Sequence, residues 1–244
     1  MIATALAALM FGMQENPACV PVENEAPTKA GSYDWMARHH EILDLIKTGQ
    51  NFEFALIGDS ITHGWGGVPK PGKDWAGGDP EGYDKLFGPY HPINLGFGWD
   101  QTGHVLWRIQ HGELDGITLK GAMLAIGTNN LGWHTNEQVY GGIVAVVDAI
   151  RAEQPKAKIL VLGILPRAYG GNKDDMARVS AVNKMLADKK WGKDIRYADT
   201  GAGFLDESGQ PKKALMDDFL HPNHVGYEVW GKAIEPVLRD MMGR

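Results

Sequence analysis

The chain has 244 residues, which is enough for one well-buried α/β domain and short for two. Its formal net charge of -6 and its dispersed Lys and Arg residues argue against nucleic-acid binding and against a polybasic membrane patch. Cys19 is the single cysteine, so an intrachain disulfide and a cysteine-based zinc site are excluded. No histidine cluster has zinc-ligand spacing, and we expect neither a metal nor a cofactor.

The first 31 residues are predicted to be a leader and a mobile lead-in, followed by one domain over residues 32–244. The apolar run from Ile2 to Met13 is too short to span a bilayer, which takes about 20 residues. It is typical of the apolar part of a secretory signal, although no Lys or Arg occurs before Lys29. We expect a secreted or periplasmic protein without stable membrane insertion; the alternative is a cytoplasmic protein with a packed N-terminal helix.

Helical and strand patterns then alternate along the chain. Helices are predicted over residues 34–47, 101–114, 136–153, 174–190 and 225–242, and strands over 52–57, 92–95, 122–126, 157–165 and 195–198. The segment from Trp65 to Tyr90, rich in Gly and Pro, is predicted to be a long loop. Apolar strands that alternate with helices indicate a parallel five-stranded sheet in a flavodoxin-like three-layer α/β/α sandwich. Ligands of such sheets bind beyond the carboxyl ends of the strands.

A serine follows the first predicted strand in the motif Gly58-Asp59-Ser60-Ile61-Thr62. A serine at a strand-to-helix turn exposes its hydroxyl at the sheet edge, and the helix N-terminus favours the negative charge of an oxyanion. Ser60 is therefore a candidate nucleophile. The alternative of equal weight is that Asp59 or Ser60 only caps the next helix.

Two further motifs follow the second and third strands, Asn94-Leu95-Gly96-Phe97-Gly98-Trp99-Asp100 and Gly127-Thr128-Asn129-Asn130. Glycine allows backbone N–H groups to approach a ligand, and an asparagine amide can donate a hydrogen bond into the same cleft. Taken singly, each motif is better explained as an ordinary turn.

The last motif is Asp218-Phe219-Leu220-His221-Pro222, before the final helix. His221 can act as a general base, and a carboxylate three residues earlier can orient its ring. Asp217 is an alternative partner, and His224 is an alternative histidine.

The set of motifs resembles the SGNH (GDSL-type) hydrolase family, whose four blocks match Ser60, Gly96, Asn129 and His221. The runs NLGFGWDQTGHVLWRI, GTNN and LGILPR are similar to the branch that contains the catalytic subunits of platelet-activating factor acetylhydrolase and their bacterial relatives. The resemblance covers residues 33–240. Asn130 stands where many members of the wider family carry Asp, but the GTNN form is usual in this branch.

The resemblance implies a serine esterase that works through an acyl-enzyme. Ser60 is the nucleophile, His221 the base and then the acid, and Asp218 orients His221. The oxyanion hole is formed by the N–H groups of Ser60 and Gly96 and the amide of Asn129. Arg167 is a candidate residue of the rim with no assigned role.

Tryptophans near the motifs suggest the substrate. We expect a short acyl ester, with an acetylated saccharide as the candidate substrate, because flat rings with one N–H donor suit a sugar face. A lysophospholipase or thioesterase, and a non-catalytic binding module on the same fold, are the alternatives. The tryptophans near the motifs are Trp65, Trp75, Trp99 and Trp133. The substrate-binding residues are predicted to be Asp59, Trp65, Trp99, Asn130 and Trp133.

Overall fold

A parallel sheet forms the centre of the molecule. The computed structural model describes residues 16–70, 78–172 and 174–243. Its sheet has five strands in the order β2-β1-β3-β4-β5, and every neighbouring pair is parallel. The strands are β1 (Phe54–Gly58), β2 (Pro92–Gly96), β3 (Gly121–Ala125), β4 (Lys158–Leu162) and β5 (Ile195–Ala198). The predicted fold class, a three-layer α/β sandwich, is confirmed.

Helices cover both faces because the strand residues are apolar on both sides. Over the described residues the helices are α1 (Ala26–Lys29), α2 (Trp35–Lys47), α3 (Ser60–His63), α4 (Pro80–Phe87), α5 (Thr102–Arg108), α6 (Asn136–Glu153), α7 (Asp175–Asp188) and α8 (His224–Met242). Helices α2, α5, α6 and α7 contribute to one core, and α4 and α8 to the other. None of these helices combines the length and apolarity needed to cross a bilayer.

Two elements differ most from the sequence prediction. The predicted loop from Trp65 to Tyr90 contains α4, which begins with an Asp79 side-chain cap on the N–H of Gly82 and with Pro80 in its first turn. Those two residues form a helix-start signal within the Gly- and Pro-rich segment. The predicted helix 101–114 ends earlier, because Gly112 adopts a φ of 95° in the turn that follows α5.

The described part of the predicted mobile lead-in is packed on the domain. The hydroxyl of Thr102 donates to the carbonyl oxygen of Ala18 at 2.6 Å, and the Asn24 amide donates to Asp100 at 3.2 Å. Residues 16–31 therefore belong structurally to the domain. The leader predicted over Ile2 to Met13 and the tryptophan Trp75 lie outside the described residues.

Trp65 lies at the centre of the second core. Its ring stacks on Trp230 at a centroid distance of 4.8 Å and on Tyr227 at 5.3 Å, and only 1% of the residue is exposed. The prediction that Trp65 binds substrate is therefore wrong: the ring joins α8 to the segment after α3 and is a packing residue.

We expect Trp65→Ala to lower the free energy of unfolding by about 3–5 kcal/mol, because a large buried side chain leaves a cavity. Trp133→Ala is the matched control. Trp133 is 81% exposed, so its removal should change stability by less than about 0.5 kcal/mol. Urea unfolding, with the denaturant slope compared between variants, measures both; equal losses in the two variants would contradict the packing described for Trp65.

Candidate active site

Ser60 lies at the carboxyl end of β1, as the first residue of α3. Its Oγ is 2.9 Å from Nε2 of His221, although 161 residues separate the two in sequence. The helix start is shaped by Asp59, whose carboxylate accepts a hydrogen bond from the N–H of Ile61 at 3.0 Å. Capping by Asp59 and a serine hydroxyl placed beside an imidazole nitrogen therefore occur together, and the two interpretations of this motif do not exclude each other.

The ring of His221 is held by Asp218. Nδ1 of His221 is 2.6 Å from Oδ2 of Asp218, and Oδ1 accepts from the N–H groups of Leu220 and His221 at 3.0 and 2.8 Å. Phe219, with a φ of 59°, turns the chain so that the carboxylate reaches back to the ring. Burial disfavours the ionised form of Asp218, but these hydrogen bonds outweigh it and hold the pKa of the carboxyl below its ordinary value.

The two alternative residues of this loop have other partners. Oδ1 of Asp217 lies 3.5 Å from the Asn223 amide. His224 faces α4, where its Nδ1 is 3.4 Å from the carbonyl oxygen of Gly78 and 3.7 Å from Asp79. The structure thus brings together Ser60, His221 and Asp218 in one hydrogen-bonded chain.

Gly96 is not available as an oxyanion donor. Its N–H donates to Oδ1 of Asn94 at 2.8 Å, and the residue pairs with Gly58 inside the sheet. A Cβ at Gly96 would lie 2.2 Å from the backbone nitrogen of His63. The glycine is required because β2 and α3 are in direct backbone contact, which corrects the function predicted for it.

The turn after β2 presents a different N–H group, that of Trp99. This turn is closed by a hydrogen bond from the N–H of Asp100 to the carbonyl of Phe97 at 3.3 Å, and Trp99 has a φ of 68°, as at the third position of a type II turn. The N–H of Gly98 is bound by Nδ1 of His63 at 3.2 Å. Among the described residues, the N–H of Trp99 has no hydrogen-bond acceptor.

Asn129 lies beside the same turn. Its Nδ2 donates one hydrogen bond to the carbonyl oxygen of Asp100 at 2.9 Å, which orients the amide and leaves the second amide hydrogen for another acceptor. The residue follows β3, the strand that flanks β1 on the side opposite β2. The amide of Asn129 and the N–H of Trp99 are thus linked through one residue, Asp100.

Besides Trp65, two more of the predicted substrate-binding residues are structural. Asn130 is fully buried, and its side chain accepts from the N–H of Thr102 and donates to the Thr102 hydroxyl, both at 3.1 Å. Asp59 is buried beneath Ser60 as the cap of α3. Both side chains use their polar atoms inside the protein, which corrects their assignment to substrate binding.

The other two predicted residues, Trp99 and Trp133, are exposed by 47% and 81%. Tyr169, after β4, is 50% exposed as well. These three rings lie on the loops that follow β2, β3 and β4, at the edge of the sheet where Ser60 is found. Sequence reasoning did not single out Tyr169, although it lies two residues after the LGILPR motif.

A buried charge network supports the turn at Trp99. Asp100 accepts hydrogen bonds from Nε of Arg108 at 2.9 Å and from Nε1 of Trp35 at 2.8 Å. Arg108 also pairs with Glu113, which in turn lies 2.8 Å from Nδ1 of His39. Asp100 and Arg108 both lie in the run NLGFGWDQTGHVLWRI. Their ion pair joins residues on different elements, so no local sequence pattern indicates it.

His63 completes this support from the side of α3. Burial, together with the nearby charges of Arg38 and Arg108, lowers the pKa of His63 to about 2. The ring is therefore neutral at all physiological pH values and accepts the hydrogen bond from the Gly98 N–H. Within the described residues, no group of three or more His, Cys, Asp and Glu side chains is arranged to hold a metal ion.

The chain resembles known proteins over most of its length. Residues 56–229 match the GDSL-like Lipase/Acylhydrolase family. The human protein named platelet-activating factor acetylhydrolase IB subunit alpha1 is 33% identical over 232 residues, which cover 95% of this chain and 93% of the human one. The bovine subunit alpha2 is 34% identical over 231 residues, covering 93% and 92% of the two chains.

Solved structures share the fold. A GDSL-like lipase from Bacteroides thetaiotaomicron superimposes with a TM-score of 0.65 at 15% identity, over 84% of this chain and 98% of its own length. A carbohydrate esterase family 3 protein from Talaromyces cellulolyticus gives a TM-score of 0.57 at 18% identity, over 79% of this chain and 98% of its own.

Asp59 provides a test of the electrostatics beneath Ser60. Burial raises the pKa of Asp59 to about 7, so its contribution to stability is complete below about pH 4 and is lost as the pH rises through about 7. Asn can cap the helix but carries no charge. We therefore expect the stability of Asp59→Asn, taken relative to the unsubstituted protein, to be higher at pH 8 than at pH 4.5.

The measurement is urea unfolding of both proteins at the two pH values. Taking the difference between the proteins at each pH cancels the titration of the remaining groups. A stability difference that is the same at pH 4.5 and pH 8 would show that Asp59 titrates as it does in the unfolded chain.

Proposed function

The chain belongs to the GDSL-like lipase/acylhydrolase family and is a carboxylic ester hydrolase, and we propose that it removes short acyl groups, acetyl above all, with Ser60 as its nucleophile. The observation that carries this proposal is the chain of hydrogen bonds from Ser60 through His221 to Asp218, at 2.9 and 2.6 Å. Serine at its free pKa is a weak nucleophile and needs such an adjacent base.

The reaction proceeds in two steps. Nε2 of His221 takes the proton of Ser60 as Oγ attacks the ester carbonyl carbon, and Asp218 stabilises the imidazolium that forms. The tetrahedral intermediate collapses to an acyl-enzyme as His221 returns the proton to the leaving alcohol. Water, deprotonated by His221, then attacks the acyl carbon and releases the carboxylic acid and free Ser60.

The oxyanion is stabilised by three donors in this proposal: the N–H of Ser60, the N–H of Trp99 and the amide of Asn129. The N–H of Ser60 lies in the first turn of α3, where backbone donors have no partner within the helix. Trp99 takes the function that the sequence assigned to Gly96, because its N–H is free of other acceptors in the described residues and Asn129 binds the same turn.

Two observations support an acetyl ester of a carbohydrate as the substrate. Similar proteins over nearly the whole length are named acetylhydrolases. The exposed rings of Trp99, Trp133 and Tyr169 supply flat, amphipathic surfaces at the site edge, which suit the face of a sugar. The same apolar rings fit a lipid ester, so a lipid acylhydrolase is the second candidate.

We expect Asn129→Ala to lower kcat by about 10²–10³ with little change in KM, because one oxyanion donor acts mainly in the transition state. Steady-state hydrolysis of p-nitrophenyl acetate measures this effect. Ser60→Ala sets the background rate and should abolish labelling by a fluorophosphonate probe. Asn51→Ala, an exposed residue that precedes β1 at the opposite edge of the sheet, is the matched control. A loss below threefold in Asn129→Ala would remove Asn129 from the oxyanion hole.

The substrate class is tested with Trp133→Ala. We expect this change to raise KM for acetylated xylan by about 2–10-fold, the contribution of one stacked ring, while p-nitrophenyl acetate is hydrolysed as before. Acyl chains of two to ten carbons are compared in parallel as nitrophenyl esters. A preference for eight carbons or more, with xylan unaffected by Trp133→Ala, would favour the lipid acylhydrolase.

A further inference from the structure

The loop that follows β4 is anchored before it reaches the active site. The side chain of Asn183, on α7, binds both backbone groups of Ile164: Oδ1 accepts from the N–H at 2.8 Å and Nδ2 donates to the carbonyl at 2.9 Å. These two hydrogen bonds have the pattern that a neighbouring strand would supply, and they hold the first part of the loop in place. Residues 163–169 are called the β4 loop below.

Arg167, in the β4 loop, bridges two elements. Its Nε donates to Oδ2 of Asp175 at 2.6 Å, and its Nη1 donates to the carbonyl oxygen and the hydroxyl of Thr128 at 2.8 and 3.0 Å. The side chains of Arg167 and Asp175 are only 12% and 3% exposed, so solvent does not compete strongly for these bonds. Thr128 immediately precedes Asn129, the side chain assigned to the oxyanion hole.

The next residue of the β4 loop contacts the other half of the site. The N–H of Ala168 donates to the carbonyl oxygen of Phe219 at 3.0 Å. Phe219 is the residue at φ 59° that lets Asp218 reach His221. The adjacent residues Arg167 and Ala168 thus bind the turn of Asn129 and the turn of His221.

We propose that Arg167 is a positioning residue that fixes the amide of Asn129 relative to the nucleophile and base. The proposal rests on the proposed esterase function. Guanidinium suits this position because its planar fork binds Asp175 and Thr128 at the same time, which a single ammonium group cannot do with the same geometry. A displacement of about 1 Å in a donor can cost about 10² in rate, so a residue without substrate contact can control kcat.

The test removes the Thr128 contact without leaving a buried charge. The variant carries Arg167→Met together with Asp175→Asn, so that no unpaired carboxylate remains. We expect kcat for p-nitrophenyl acetate to fall at least tenfold, with KM changed less than threefold. When Asn129→Ala is already present, the same pair of substitutions should lower kcat less than threefold, because the group that Arg167 positions is absent.

Arg167→Lys is measured with and without Asn129→Ala. We expect it to lower kcat as well, because Lys cannot keep both partners. It carries the test if the paired variant does not fold, which thermal unfolding reveals. Arg151→Met is the control, since Arg151 donates to Pro155 before β4, away from the motifs of the site. Its kcat should equal that of the unsubstituted protein.

Two results would overturn the proposal: an unchanged kcat in the Arg167 variants, or an equal fall with and without Asn129→Ala. The second would show that Arg167 acts on the fold in general. Failure of the esterase function is separate, because it would appear as turnover in Ser60→Ala or as absence of fluorophosphonate labelling in the unsubstituted protein.

Discussion

The direct contact between the end of β2 and the start of α3 is the constraint on which the active site depends. Gly96 lies so close to His63 that no side chain fits between them. This contact sets α3 against the edge of the sheet and determines where Ser60 points. After Gly96, the N–H of Phe97 still donates to the carbonyl oxygen of Gly58 at 3.1 Å, and the chain then leaves the sheet in the tight turn that ends at Asp100.

The turn is stable because charges are buried beneath it. Asp100 is wholly inside the protein, where an unpaired carboxylate would be very costly, but Arg108, Trp35 and Asn24 all donate to it. Even so, burial raises the pKa of Asp100 to about 6. Such a network contributes more to a defined geometry than to net stability, since an apolar replacement of similar shape often costs nothing. Here the geometry that it defines is that of the Trp99 N–H and, through the carbonyl of Asp100, that of Asn129.

Much of this arrangement could be predicted from the sequence, and most of the rest could not because it depends on contacts between distant residues. The strands were predictable because buried parallel strands are continuous apolar runs, and Asp218 was predictable because it is three residues from His221. The contacts of Gly96, Trp65 and Arg167 were not, because each depends on a partner far along the chain.

Gly96 was assigned to the oxyanion hole by its place in a motif, whereas its N–H direction is decided by Asn94 and by the pairing of β2 with β1. Helix α4 had a local signal in Asp79 and Pro80, which the many glycines around it obscured.

In the proposed reaction, Trp99 connects the chemistry of the acyl group with the recognition of the alcohol. A φ of 68° is unfavourable for a residue with a bulky side chain, so the surrounding bonds of Gly98 and Asp100 must hold this conformation. In the proposed reaction the N–H of Trp99 donates to the oxyanion, while its indole, which is 47% exposed, lies at the edge of the site. Any substrate group that stacks on the indole contacts the same residue whose N–H donates to the oxyanion in this proposal. Binding energy from the alcohol can in this way be used to tighten a hydrogen bond that matters only in the transition state, which is how remote contacts raise kcat.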